Sequence, residues 1–323
     1  MADERGARPG RGRRRAGGAT GLVLLLLAGC GGGEVAGSSL REQCPAPRVV
    51  ATTSILGDVV GRIVGEGVEV LIPVGADPHS FEASARQAAA LREADLVVVN
   101  GLGLEEGMGG VIRAASAEGA TVVEAAAFIT PLPIAPLTTS AGEQGWDPHL
   151  WTDPRRMADV VTGLGEALAA ADPACAPRWR AAAEEYRQEL LDLDAGIEAL
   201  VSGIPAERRK LVTNHQTLGY FADRYGFVVV GTIIPGGTTL AEPSPADLAT
   251  LVETLRREGV RAVFAENTRP ADLARTLAAE LGEQVTVVAL YTDSLGGPGS
   301  GAETYLGMMR TDAERIAAAL GAP

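Results

Sequence analysis

From residue 48 onward, apolar runs of strand length alternate with helical patterns, and one long amphipathic stretch divides the series into two halves. In the first half, residues 48–52, 68–74, 96–99 and 121–124 read as strands, with helical stretches at 55–64 and 84–93. In the second, 210–213, 227–234, 262–265 and 285–290 read as strands, and helices are expected to start at Ser244, Pro270 and Glu303. Strands that are apolar on both faces and separated by helices pack as a parallel sheet covered on both sides. Ser244-Pro245-Ala246-Asp247 is a strong helix start, with an N-cap serine, proline at the first helical position and an acid at the third. In the dividing stretch, Trp179, Ala183, Tyr186, Leu190, Leu193, Ile197 and Leu200 recur in alternating steps of four and three. That spacing draws one face of a single helix, opened by Pro177 and closed by Gly203-Ile204-Pro205. The expected class is α/β: two Rossmann-like parallel-sheet lobes, 47–175 and 205–323, joined by one long rigid helix over 176–204. Open parallel sheets bind ligands at the C-terminal ends of their strands, which places a site in the cleft between the lobes.

The N-terminus carries an address. Arg5, Arg8, Arg11, Arg13, Arg14 and Arg15 precede a short apolar run, residues 22–27, which ends in Leu27-Ala28-Gly29-Cys30. A basic region, a short apolar core and a small-residue cleavage site describe an export signal over 1–29, too short to span a bilayer. Cysteine after Leu-Ala-Gly resembles a bacterial lipobox, so Cys30 is the expected site of lipidation. The glycine-rich stretch that follows reads as a flexible tether over 30–46. Nothing later is long and apolar enough to cross a membrane, so the chain is expected to be anchored rather than spanning. Removing the signal takes six of 28 basic and two of 41 acidic residues, leaving 22 against 39, a net charge of about −17. Such a body repels nucleic acid and suits a cationic ligand. The remaining cysteines, Cys44 and Cys175, can pair in an exported protein.

Only three histidines occur: His79 in Gly-Ala-Asp-Pro-His, His149 in Asp-Pro-His-Leu-Trp and His215 in Thr-Asn-His-Gln. Each lies on a loop among turn residues, and three or four such side chains converging would close a metal site. His79 and His215 follow strands, and Asp293, after the run 285–290, holds an equivalent place. Two donors would then come from each lobe. Asp77 and Asp147 precede Pro-His and are expected to bind loop amides, or else to orient an imidazole. Glu266 ends a strand and is a third candidate to support a ligand from behind. A hydrolytic zinc is the competing reading, since catalytic sites keep a position open for water. Here four protein donors fill the set, the spacing matches no zinc-protease motif, and neither a nucleophile elbow nor a phosphate loop occurs.

The order of motifs resembles the metal-binding lipoproteins of bacterial ABC importers for zinc and manganese, the ZnuA-like or TroA-like solute-binding family (cluster A-I). The carriers are Val50-Ala51-Thr52-Thr53-Ser54, Gly75-Ala76-Asp77-Pro78-His79-Ser80-Phe81-Glu82 and Asp147-Pro148-His149-Leu150-Trp151-Thr152-Asp153-Pro154. In the second half they are Thr213-Asn214-His215 with Gly219-Tyr220-Phe221, Leu290-Tyr291-Thr292-Asp293-Ser294-Leu295-Gly296, and Tyr305-Leu306-Gly307-Met308-Met309-Arg310. The resemblance covers about 49–320 and implies that His79, His149, His215 and Asp293 are the metal ligands. Manganese-type members generally have glutamate at the third position, where this chain has His215, so zinc is favoured over manganese. The His-rich loop of some zinc-type members is missing, since 129–146 holds no histidine. What the resemblance implies is a monomeric receptor, not an enzyme, lipid-anchored on the outer face of the cytoplasmic membrane. It would deliver one divalent ion to the permease of an ABC importer. A manganese receptor, a zinc hydrolase and a surface adhesin are the alternatives.

Overall fold

The computed structural model describes residues 44, 47–65, 67–134 and 145–321. The export signal, Cys30 and most of the tether lie outside the described residues. Among those described, no helix is long and apolar enough to cross a membrane.

Two four-stranded parallel sheets form the frame. The first contains β1 (Val49–Ala51), β2 (Val68–Val70), β3 (Leu96–Val99) and β4 (Val122–Glu124) in the order β2-β1-β3-β4. The second contains β5 (Lys210–Thr213), β6 (Val228–Thr232), β7 (Ala262–Glu266) and β8 (Thr286–Leu290) in the order β6-β5-β7-β8, so the topology of the first is repeated. Central β1, β3 and β7 are buried at every residue, whereas edge β2 and β4 are only partly covered. Strands 68–74 and 227–234 are shorter than the apolar runs predict. The ladder outlasts β2 by two bonds, Leu71 N–H to Ala51 O and Ile72 N–H to Thr52 O, and Pro73 follows. At β6 the same happens through Ile233 and Ile234 before Pro235. Proline offers no N–H to a ladder, so both edge strands leave the sheet at an Ile-Pro step and become loops.

The helices are α1 (Ser54–Val64), α2 (Ala85–Glu93), α3 (Gly109–Ala117), α4 (Pro154–Ala171), α5 (Ala176–Ser202), α6 (Gly219–Tyr225), α7 (Pro245–Glu258), α8 (Asp272–Leu281) and α9 (Tyr305–Gly321). Ser244 caps α7 as its sequence predicts, receiving the Asp247 N–H while the Asp247 carboxylate returns to the Ser244 N–H. The linking helix α5 runs for 27 residues against α1, α4 and α9. One position of its predicted face is corrected: Leu200 is 40% exposed and Val201 is buried. A straight helix turns every 3.6 residues, so after Ile197 the inward position falls four residues on, not three.

Alternate side chains of each sheet enter different cores. Val50, Val97 and Val99 pack with Leu91 and Ala115 on one side of the first sheet, and Val212, Val263 and Ala265 with Leu251 and Leu277 on one side of the second. The opposite faces share a single core. Val49, Ala51 and Val98 from the first sheet and Leu211 and Phe264 from the second join it, with Trp179, Tyr186 and Leu190 of α5 and Tyr305 of α9. Cys44 and Cys175 form a disulfide with Cα atoms 5.7 Å apart, tying the approach to β1 to the start of α5. A cross-link spanning 131 residues restricts the unfolded chain by about 5 kcal/mol in the loop-entropy account.

Candidate metal centre

The repeated tripeptide Asp-Pro-His builds the same turn twice. Asp77 Oδ1 accepts the His79 N–H and Asp147 Oδ1 accepts the His149 N–H, both at 3.0 Å. Each aspartate thus closes a turn over a proline of fixed φ and presents the imidazole beyond it. Both aspartates bind a loop amide in this way, but their further contacts differ. Asp147 Oδ1 also lies 2.7 Å from His149 Nδ1 and orients the ring. The second oxygen of Asp77 accepts the Thr239 hydroxyl at 2.6 Å and lies 3.4 Å from Arg269 Nε.

His215 follows β5 by two residues, and Glu266 ends the neighbouring β7, so adjacent parallel strands deliver both to one end of the sheet. Glu266 accepts the His215 N–H at 2.9 Å, and both its oxygens lie 2.9 Å from His215 Nδ1. Asp293 leaves β8 in the same direction. The sequence gives no sign of three further neighbours: Glu106, 3.5 Å from His79 Nδ1, and Thr239 and Arg269 around Asp77. No local pattern links these residues to the histidines.

The structure brings His79, His149, His215 and Asp293 together with at most 2% of each exposed. His149 Nε2 lies 3.3 Å from His79 Nε2 and 3.1 Å from His215 Nε2. Asp293 stands back, with Oδ2 3.7 Å from His215 Nε2 and Oδ1 4.0 Å from His149 Nε2. For Nε2 to face this cluster as a lone pair, Nδ1 must carry the proton, and Asp147 and Glu266 are placed to accept it. Three lone pairs then converge on one point, a repulsive arrangement that a cation turns into coordination. A tetrahedral ion with metal–nitrogen bonds of about 2.0–2.1 Å separates its donors by about 3.3–3.4 Å, close to the spacing seen. Neither Asp293 oxygen has a hydrogen-bond partner, although buried carboxylates are ordinarily satisfied.

Burial shapes the charges here. It drives His79 far below the ordinary histidine range, assisted by His149 and His215, and lowers His215 to about 4 against the pull of Asp293. Burial would also lower His149, but the bond and charge of Asp147, with Asp293 and Glu266, carry it above its ordinary value. It raises Asp293 to about 6 and Glu266 to about 8. Without a cation the cluster therefore retains protons that a free carboxylate would shed at neutral pH.

The family described as "Zinc-uptake complex component A periplasmic" (ZnuA) matches residues 49–319. The manganese-binding lipoprotein MntA of Halalkalibacterium halodurans is 33% identical over 301 residues, covering 93% of this chain and 96% of that protein. The zinc-binding protein TroA of Treponema pallidum is 32% identical over 85% of this chain and 89% of its own length. The solved TroA structure superposes with a TM-score of 0.78, covering 86% of this chain and all of that one. The iron-binding protein YfeA of Yersinia pestis is 30% identical over 88% of this chain and 91% of that protein.

Proposed function

This chain belongs to the ZnuA family, the metal-binding solute-binding proteins of ABC importers, and on that premise we propose that it captures zinc and hands it to a membrane permease. His79 and His149 supply donors from the first lobe, His215 and Asp293 from the second. Asp147 and Glu266 hold two of the rings from behind, and Asp77 fixes the His79 loop. The observation that carries the reading is the spacing of the three Nε2 atoms, 3.1 and 3.3 Å about His149, beside a buried carboxylate with no partner. The family's named members are carriers and not enzymes, and four protein donors leave no position that chemistry would need. The lobes 47–175 and 205–323, joined by the helix in 176–204, enclose the ion as a single monomer.

Three imidazoles against one carboxylate favour zinc, a borderline-soft ion, over the harder manganese. A manganese reading has its own support in the 33% identity to a manganese-binding lipoprotein and in the two free oxygens of Asp293. Equilibrium dialysis against equal free concentrations of the two ions separates them. Zinc is expected to occupy the site at one ion per chain, and manganese in its place would reject the zinc assignment.

Several relatives are named lipoproteins, which supports an exported body held by lipid at Cys30, beyond a signal over 1–29 and a tether over 30–46, on the outer face of the cytoplasmic membrane. Changing Cys30→Ser should move the protein from the membrane fraction to the soluble one with zinc binding intact. Retention at the membrane would mean another attachment.

A further inference from the structure

Asp293 is held differently from the histidines. Carboxylates grip the rings of His149 and His215, but neither oxygen of Asp293 has a hydrogen-bond partner, so its position rests chiefly on the backbone around it. On its C-terminal side that backbone is held at the Ser294 carbonyl, which accepts the Asn267 side-chain amide at 3.2 Å, and at the Leu295 N–H, which donates to the Ser54 hydroxyl at 3.1 Å. On its N-terminal side it is held at two further points. The Tyr291 N–H donates to both oxygens of Asp312, a buried carboxylate of α9, at 3.0 and 3.1 Å. The Thr292 carbonyl accepts the indole N–H of Trp151 at 2.6 Å, across 141 residues of sequence.

Trp151 is well placed for this. It is 3% exposed, its ring stands edge-on to that of His149 with centroids 5.3 Å apart, and its own carbonyl accepts the Tyr305 hydroxyl at 2.6 Å. One side chain therefore packs on a donor from the first lobe while gripping the loop that carries a donor from the second.

We propose that Trp151 is a positioning residue for the ion, setting the Asp293 carboxylate against His149 through its indole bond to Thr292. The inference rests on the reading of Asp293 as a ligand. A carboxylate without a side-chain bond on a loosened loop would have to be ordered on each binding event, and that ordering weakens affinity. Groups that orient metal ligands typically account for about 10- to 100-fold in affinity.

A double-mutant cycle tests it, with zinc affinity read by competition against a chelator. Trp151→Phe keeps an aromatic ring against His149 but lacks the donor. It should weaken zinc binding about tenfold in the intact protein and scarcely at all once Asp293→Ala is present. Unchanged affinity in Trp151→Phe, or an equal loss in both backgrounds, would leave Trp151 a core residue and overturn the inference. Wild-type affinity in Asp293→Ala alone would instead remove Asp293 from the ligand set, and the inference with it. Should Trp151→Phe not fold, Tyr305→Phe withdraws the bond behind Trp151 and keeps the ring. It should show a smaller loss with the same dependence on Asp293, and a loss independent of Asp293 would again overturn the idea.

Discussion

Replacing His215 by alanine is expected to weaken zinc binding by about 100- to 1,000-fold, more than replacement of Asp293 does. Structural zinc sites bind with about 10–16 kcal/mol, so one donor of four is worth about 3–4 kcal/mol when nothing can stand in for it. Nothing stands in for His215. Its ring is held at Nδ1 by both oxygens of Glu266, and it lies 3.1 Å from the central His149 nitrogen. Asp293 stands farther off, at 3.7 and 4.0 Å, and water can replace a carboxylate oxygen around zinc. Its alanine variant should lose about 10- to 100-fold, within the range set by one weaker donor. Chelator competition on both variants gives the ranking, and equal losses or the reverse order would contradict it.

Acid should empty the site steeply. Binding requires Nε2 of His149 bare, Asp293 ionised and Glu266 ionised to accept the His215 Nδ1 proton. All three hold protons more tightly than usual in the zinc-free protein: Glu266 up to about 8, Asp293 up to about 6, and His149 above its ordinary value. Each raised group binds its proton below its own pKa, so affinity is full above about pH 8 and falls as pH drops. The loss is about tenfold per pH unit for each proton displaced, from Glu266 at first, then also from His149, which lies above its ordinary 6.5, and from Asp293 as well below about pH 6. Between pH 8 and 5.5 the total should be on the order of 1,000-fold or more. His215, lowered to about 4, adds nothing until the solution is more acid still. Calorimetry in buffers of differing ionisation enthalpy should register at least one proton released per zinc at pH 7. An affinity flat from pH 8 to 6 would show that these groups are not displaced.

What the sequence discloses here is whatever repeats at short range. β3 and β5 begin and end where the sequence predicts, because all four residues of β3 and the last three of β5 are buried and apolar or β-branched, which leaves little room for ambiguity. The Asp-Pro-His turns are equally local, each closing over two residues. Strand ends at β2 and β6 are harder, since Leu71, Ile72, Ile233 and Ile234 stay buried and hydrogen-bonded after the strand has ended. Leu200 is misread because a pattern of fours and threes drifts off a straight helix. The pairings that finish the site are beyond any local pattern, although Glu266 itself is marked by its place at a strand end. Glu266 meets His215 across 51 residues, Thr239 meets Asp77 across 162, and Trp151 meets Thr292 across 141. Such pairs are set by where the loops of two sheets converge, which periodicity does not encode. For Asp147, both the loop role and the ring-orienting role are filled by one oxygen.

The shared core has a bearing on how cargo can leave. Trp179, Tyr186 and Tyr305 are fully buried in a cluster to which both sheets contribute. A buried aromatic side chain covers about 150–250 Å², which at about 25 cal/mol per Å² is about 4–6 kcal/mol each. Prising the sheets apart would wet several of these at once, a cost comparable to the whole stability of an ordinary domain, about 5–15 kcal/mol. A molecule built this way behaves as a solid and not as a jaw. Full and empty forms are then expected to share one outline, which scattering of the two would check, and whatever unloads the protein would have to recognise its loop tips and could not wait for the body to gape.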